Sequence, residues 1–362
     1  LNPTSQSTGK TLTELPDLIV EQCTTGEAWN NALNSLPDFF GKAYYEFAYF
    51  KLSHANHEGL PTALIFSEKD KVVAFYPFLL KAIPAVYGLG EMFDIETPYG
   101  YGGPYLRNPD QKAISAFQQS FASWCSNNSI VAEFIRFNPF IENHRFCENF
   151  ARISKNRTTV SIDTSSGLPQ ILKGCTSAKR RNFNNAVKSG LQISDCSLEE
   201  FRLLYRKTMN ELRADEYYFF SDAYFAEIQR QCPHNFVIKA ARTAEGNLAA
   251  AGIFLKDSLS YHYHLGCSES SLLHLRPNDY LMLKVAEEAN KSGKSILHLG
   301  GGLNDKAEDG LFRYKKGFSE QTHDFFIGRK IYRPEIYDNI SANWQKLTGK
   351  QPEILLHYHY GV

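Results

Sequence analysis

Residues Ser295 to Phe318, SILHLGGGLNDKAEDGLFRYKKGF, hold the strongest chemical signal in the chain. Lys315 and Lys316 follow Phe312, Arg313 and Tyr314, so two ammonium groups stand among aromatic rings. Such groups can hold an anion or polarise a carbonyl. Upstream, Gly300, Gly301 and Gly302 end a short apolar run, Ser295 to Leu299. Three residues without a Cβ let another backbone or a ligand come close. Asp305, Glu308 and Asp309 form an acidic loop between the two motifs. The plainer reading is a β-turn followed by an amphipathic strand, and residue types alone leave both open.

The elements that must position these residues occur in a repeated order. Phe40 to His54 reads as an aromatic helix, Thr62 to Ser67 and Val72 to Leu80 as paired strands, and Asp94 to Leu106 as a loop. Lys112 to Cys125 then reads as a helix and Ile130 to Phe137 as a strand. The second half repeats this. Leu198 to Leu212 and Asp222 to Gln231 are predicted helices; Phe236 to Ala241, Leu248 to Leu255 and Ser260 to Leu265 are predicted strands. A helix over Asn278 to Lys291 follows, with Pro277 at its entry and Gly293 at its exit, and then the strand Ser295 to Leu299. Two copies of one α/β unit are expected, residues 11–155 and 156–330, each a mixed sheet flanked by helices. The tail, 331–362, is expected to pack back on the first unit.

The length of 362 residues fits two domains better than one. Lysine plus arginine (39) equals aspartate plus glutamate (39), which argues against a general DNA- or RNA-coating role. The seven cysteines are scattered and form no CxxC pair, so neither a zinc knuckle nor a disulfide framework is expected. No apolar run is long enough for a membrane span and no signal peptide is visible, so a reducing, cytoplasmic location is expected. The polar opening LNPTSQSTGK is left out of the fold argument.

Three further stretches offer chemistry. In Tyr261, His262, Tyr263 and His264 a strand sends the tyrosines to one face and the histidines to the other. His262, His264 and Cys267 lack a further ligand at a telling spacing, so no metal is expected. Tyr261 and Tyr263 suit the lining of a cleft, each with an apolar ring and a polar tip. The loop at 94–106 carries Tyr99 and Tyr101 among glycines and is either substrate-shaping or a tight connection. A helix from Ser177, a plausible N-cap, to a stop at Gly190 bears Lys179, Arg180, Arg181 and Lys188. It is either a phosphate-steering face or simply a solvated one. No ATP loop, dinucleotide fingerprint or GxSxG elbow is present.

Four motifs together resemble the Fem-type aminoacyl transferases of the GCN5-related N-acetyltransferase (GNAT) superfamily. They are AKRRNFNNAVKSGL (Ala178 to Leu191), NLAAAGIFL (Asn247 to Leu255), YHYHLGCS (Tyr261 to Ser268), and HLGGG with FRYKKGFS (from His298). The resemblance covers nearly the whole chain and implies an α/β fold of two tandem GNAT domains. It implies that Tyr314 and Lys315 are catalytic, with Lys315 beside the oxyanion. It also implies that Tyr261 and Tyr263 position substrate, and that Lys51 and Arg213 contact the diphosphate of a precursor. Tyr99, Tyr101 and Gly300 to Gly302 complete the expected binding residues.

Two departures from the pattern bear on mechanism. Where the family carries Asp-Pro this chain has Asn138 and Pro139, and an amide cannot act as base. Asp94, Glu96 and Asp309 are the substitutes. The CoA-diphosphate loop is replaced by LRPND, Leu275 to Asp279, without glycines. The expected reaction is amide formation on an amine of a nucleotide- or lipid-linked sugar or peptide precursor of the cell envelope. No tightly bound cofactor is expected; the donor is aminoacyl-tRNA or acyl-CoA. The rivals are an acyl-CoA-dependent N-acyltransferase acting on an amino sugar, and a catalytically degenerate protein that binds a precursor or glycan.

Overall fold

A computed structural model describes residues 18–360. The polar opening and the start of the first expected unit lie outside the described residues. The first half contains β1 (Ile19–Cys23), α1 (Gly26–Ser35), α2 (Phe47–Ala55), β2 (Leu60–Glu68), β3 (Lys71–Ala82), β4 (Phe93–Glu96), β5 (Tyr105–Leu106), α3 (Gln111–Asn127), β6 (Ile130–Arg136) and β7 (Arg152–Asp163). Then come α4 (Leu168–Gly174), α5 (Ser177–Lys188), β8 (Gln192–Asp195), α6 (Leu198–Glu211), α7 (Asp222–Gln231), β9 (Phe236–Arg242), β10 (Leu248–Lys256) and β11 (Ser260–Ser268). The chain closes with α8 (Pro277–Lys291), β12 (Ile296–Gly301), α9 (Gly310–Lys316), β13 (Thr322–Ile331) and α10 (Pro334–Thr348).

The two mixed sheets join into one, in the order β1-β2-β3-β4-β6-β13-β7-β12-β11-β10-β9-β8, with β5 pairing β3 to the side. Each half contributes six strands in the same order, but the sixth strands are exchanged. β7, from the first half, pairs with β12; β13, from the second, pairs with β6. The two then pair with each other at the centre. Position 155/156 falls inside β7.

Alternation along the strands explains the layers. Ile65, Phe75 and Leu79 face the same apolar cluster as Ala251, Ile253 and Leu255, beneath α1, α2, α6 and α7. One core therefore spans both halves. Leu64, Phe66, Tyr76 and Phe78 face α3 on the other side, and Ala250, Phe254 and Leu297 face α5 and α8. The tail lies on the first half: Ile340, Trp344 and Tyr358 pack with Ile83 and Val131.

Some boundaries differ from expectation. The aromatic helix breaks at Glu46 into a 3-10 turn (Lys42–Tyr45) and α2. Thr176, not Ser177, caps α5 by accepting from the Lys179 amide. The residues after the acidic loop form helix α9, not an amphipathic strand, because Asp309 caps them through the Phe312 amide at 2.7 Å.

Candidate active site

The parallel pair at the centre of each half decides where a ligand has room. In the first half β4 pairs with β6, and the loop after β4 stays zipped to it. Thr97 donates to the Phe134 carbonyl at 3.1 Å and Gly102 to that of Arg136 at 2.7 Å. In the second half β11 and β12 pair only over Ser260–His262 with Ile296–His298. β11 then bulges at His264, where the register with β10 shifts, and runs on to Ser268 without β12. On the edges that face each other across the splay the two strands no longer pair, although β10 and β7 still pair with their outer edges, and α9 supplies the side chain that fills the gap.

That side chain is Lys315. Its Nζ donates to the Gly301 carbonyl at 2.7 Å and lies 5.9 Å from the centre of the Tyr263 ring. Burial, helped by the Arg157 guanidinium and opposed by Asp309, brings its pKa down to about 7. Gly300 adopts a left-handed conformation (φ +75°), and the point where its Cβ would stand is 3.4 Å from Lys315 Nζ and 3.7 Å from the Tyr101 hydroxyl. An ammonium and a phenol thus converge over a bare backbone. At Gly301 and Gly302 the room is taken by the protein itself. A Cβ there would meet the Arg157 side chain in one case and the Asp309 carboxylate in the other. Arg157 also donates to the Gly302 carbonyl at 2.6 Å, fixing the loop.

Tyrosines close the site from both halves. Gly266 makes space for the Tyr263 ring, which a Cβ there would overlap. Tyr101 packs on Tyr44, on His298 at 5.2 Å and on Phe325 at 5.0 Å between ring centres. Tyr99 packs on Phe220 and His264. Its carbonyl accepts from the Tyr49 hydroxyl. Tyr314 points the other way, under Lys179 Nζ, which stands 3.4 Å from its ring centre. Lys179 is buried and paired with Asp279 at 2.5 Å, so this member of the basic helix is neither solvated nor open to a phosphate.

Other expected residues lie apart from Lys315. Tyr261 faces the end of α8 and borders a separate hollow with Lys294 and Ser292. Lys51, on α2, pairs with Glu227 of α7 at 2.9 Å. Arg213 is exposed in a left-handed turn after α6. Neither makes a hydrogen bond, ion pair or ring contact with Lys315, Tyr263 or Tyr101.

The candidate bases are all engaged. Asp94 accepts from the Ala132 amide and contacts His359 of the tail at 2.7 Å. Burial works against the charge of Glu96, yet Arg136 and Lys81 hold its pKa at about 2. Asp309 is held low by the helix amides it caps, the Phe312 amide first. Asn138 is a buried bracket: its Nδ2 donates to the Phe40 carbonyl and its Oδ1 accepts from the Phe140 amide, both at 2.9 Å.

Sequence reasoning missed β7 and β13, and with them Arg157. It quoted His298 only inside a motif, although that histidine is fully buried beside the site. The signal for β7 was weak because Ser154 to Thr159 is polar at every position. Among the described residues no cluster of His, Cys, Asp and Glu is arranged to hold a metal ion. No helix there is long and apolar enough to cross a membrane.

No model of a known protein family matches the sequence, and no curated protein sequence matches it either. Solved structures do match. The crystal structure of FemX superposes over 88% of this chain and 99% of its own, with a TM-score of 0.67 at 12% identity. The chain has a Fem-like fold. The C-terminal domain of a putative lysylphosphatidylglycerol synthetase from Agrobacterium fabrum covers 87% of this chain and 97% of its own, with a TM-score of 0.55 at 10% identity. The L-PGS structure from Bacillus licheniformis covers 85% and 92%, with a TM-score of 0.54 at 13% identity. With six strands repeated in order, the architecture is that of two α/β units in tandem, sharing one sheet.

Proposed function

We propose that this protein is an N-acyltransferase that joins an aminoacyl group to an amine of a cell-envelope precursor. The observation that carries this reading is the convergence of Lys315 Nζ and the Tyr101 hydroxyl on Gly300, at the splay of β11 and β12. When an amine attacks an activated carbonyl, charge collects on the carbonyl oxygen. A fixed ammonium in a water-poor site stabilises that charge far more than it would in bulk water. Tyr101, Tyr263 and Tyr99 hold the acyl group over the glycine, and Tyr314 steadies α9 from below.

The first turn of α8 favours a donor other than acyl-CoA. It begins with Pro277, which has no N–H, and its Asp279 carboxylate is already bound to Lys179 and Asn182. A diphosphate needs free amides and no carboxylate there. An aminoacyl ester on tRNA suits the splay better. For the acceptor, the fold is shared with FemX and with proteins named as lysylphosphatidylglycerol synthetases, so a nucleotide- or lipid-linked precursor is the class to test first. Lys51 and Arg213 belong to one helical layer, α2, α6 and α7, and are the proposed contacts for its phosphates. No tightly bound cofactor takes part in this reading.

The test is a transfer assay with purified protein and tRNA charged with radiolabelled amino acids. UDP-linked muropeptide and phosphatidylglycerol vesicles serve as separate acceptors, and labelled acetyl-CoA is run in parallel. Label passing from tRNA to an acceptor, lost in Lys315→Met, supports the reading. Transfer from acetyl-CoA alone would replace it with the acyl-CoA reading. Absence of transfer from either donor, or an unimpaired Lys315→Met, would overturn the reading.

A further inference from the structure

We propose that the hollow bordered by Tyr261 is a second ligand site, which takes a phosphate-bearing small molecule between Lys256 and Lys294. It stands independently of the transferase reading. Three connections of the second half build it: α7 to β9, β10 to β11, and α8 to β12. Glu46, where the aromatic helix breaks, closes it from the first half. β11 and β12 run parallel, so their starts lie at the far end from the splay beside Gly300. The hollow measures about 440 Å³, within the range of small-molecule sites.

Its cations lack partners of opposite charge. The Lys256 side chain makes no hydrogen bond or ion pair among the described residues. The Lys294 ammonium donates to the Ser258 carbonyl at 3.0 Å and meets no carboxylate there. Lys239, a third lysine nearby, shows the usual solution. It pairs with Asp195 and Glu288 at 2.9 and 2.8 Å, and those carboxylates are thereby used. Burial, and next the charge of Lys294, pull the Lys256 pKa below the ordinary lysine value. Two like charges held together at the rim of a polar hollow call for a counter-ion. An anion with two charges balances both.

Two carboxyl groups border the hollow, and neither supplies that charge. Asp257 Oδ1 accepts from the amides of Leu259 and Ser260 at 2.9 and 2.7 Å and from the Ser260 hydroxyl at 2.8 Å. Its Oδ2 accepts from the Ala43 amide at 3.3 Å and lies 3.6 Å from His262 Nε2. Asp257 is therefore spent on the start of β11. Glu46 is different. Burial, then repulsion by Asp257, raises its pKa to about 7, against the Asn235 side-chain amide and Lys42. Below that pH it is a neutral acid that can donate to a phosphoryl oxygen; above it, a charge that repels one. The other charged or titratable groups on the lining are Lys256, Lys294, His234 and Tyr261. With the hydroxyls of Ser258 and Ser292 they make a donor-rich set suited to a phosphate dianion.

The test follows thermal unfolding of the whole chain in rising concentrations of two probes, inorganic phosphate and glycerol 3-phosphate. Sodium chloride keeps the ionic strength constant. Binding to the folded state should raise the midpoint in a saturable way, where a general salt effect grows without saturating. Lys256→Met should weaken the apparent affinity by about tenfold or more. If that variant fails to fold, Lys294→Met carries the comparison. At pH 8 Glu46→Gln should bind about tenfold tighter than wild type, the order expected for removing one nearby charge. At pH 6 the two should match. Comparing variants at one pH cancels the titration of the probe itself. Saturation by either probe, weakened in the lysine variant, supports the site, and the probe that saturates first tells free phosphate from a phosphate ester. No saturable rise with either probe, or an equal rise in the lysine variant, would overturn it. Equal affinities of Glu46→Gln and wild type at pH 8 would overturn the placing of the phosphate beside Glu46.

Discussion

The pKa of Lys315 ties activity to stability at a single residue. Because its ammonium form stabilises the oxyanion, kcat should fall as pH rises through about 7. Lys315→Met should cost about 10²–10³-fold in kcat, and its residual activity should lack that alkaline limb. The stability effect has the opposite sign. The folded protein holds this lysine well below its unfolded pKa of about 10.4, so between those values the unfolded chain binds more protons. Wild-type stability relative to Lys315→Met should therefore rise from pH 7 towards pH 10. Denaturant midpoints across that range measure it, and a flat difference would contradict a buried, depressed lysine. Gly266 makes a second residue-scale case. Gly266→Ala drives a methyl into the Tyr263 phenol, so it should cut transfer sharply. Tyr263→Ala in the same chain should relieve the strain, and equal stabilities for the single and double variants would argue against the clash. Lys315 was legible in the sequence because lysine between aromatics and glycine is a chemical pattern. The Gly266 contact was not, because a bulge brings residues 263 and 266 together against the strand's usual alternation.

Elements were legible where their apolar periodicity was strong and lost where polar residues interrupted it. α7 and α8 matched expectation nearly end to end, and β2 and β3 were found because both faces are apolar. With an amphipathic strand as the plainer of the two readings left open, helix α9 was not read as a helix. It is too short to show a helical period, and its start depends on Asp309 folding back across Gly302. The loop that reads Asn138-Pro139 shows the same dependence on contacts. Asn138 must both donate and accept to tie the Phe40 and Phe140 backbones together. Asn138→Asp restores the family's residue type but sets a carboxylate against the Phe40 carbonyl. It should lower stability by about 1–3 kcal/mol without raising kcat, as urea unfolding and the transfer assay would show. A more active Asn138→Asp would return the base to this position.

At the scale of the whole molecule, the exchange of sixth strands and the shared core make the halves mutually dependent. β13 lies between β6 and β7, and Phe75 shares a core with Phe201 and Phe236. The chain should therefore unfold in one calorimetric transition, and two resolved transitions would contradict the exchange. Repetition of the element order was readable; the exchange was not, because it depends on which edge each polar-faced strand finds in space.

The exchanged strands also set a schedule for synthesis. β6 and β7 leave the ribosome long before β13, the strand that belongs between them, about 190 residues later than the end of β6. At roughly 5–20 residues per second, that is on the order of 10–40 s with two central strand edges unpaired. During that interval the nascent first half presents open hydrogen-bonding edges to any other strand nearby. Its yield in the cell should depend on what shields those edges until the last tenth of the chain arrives.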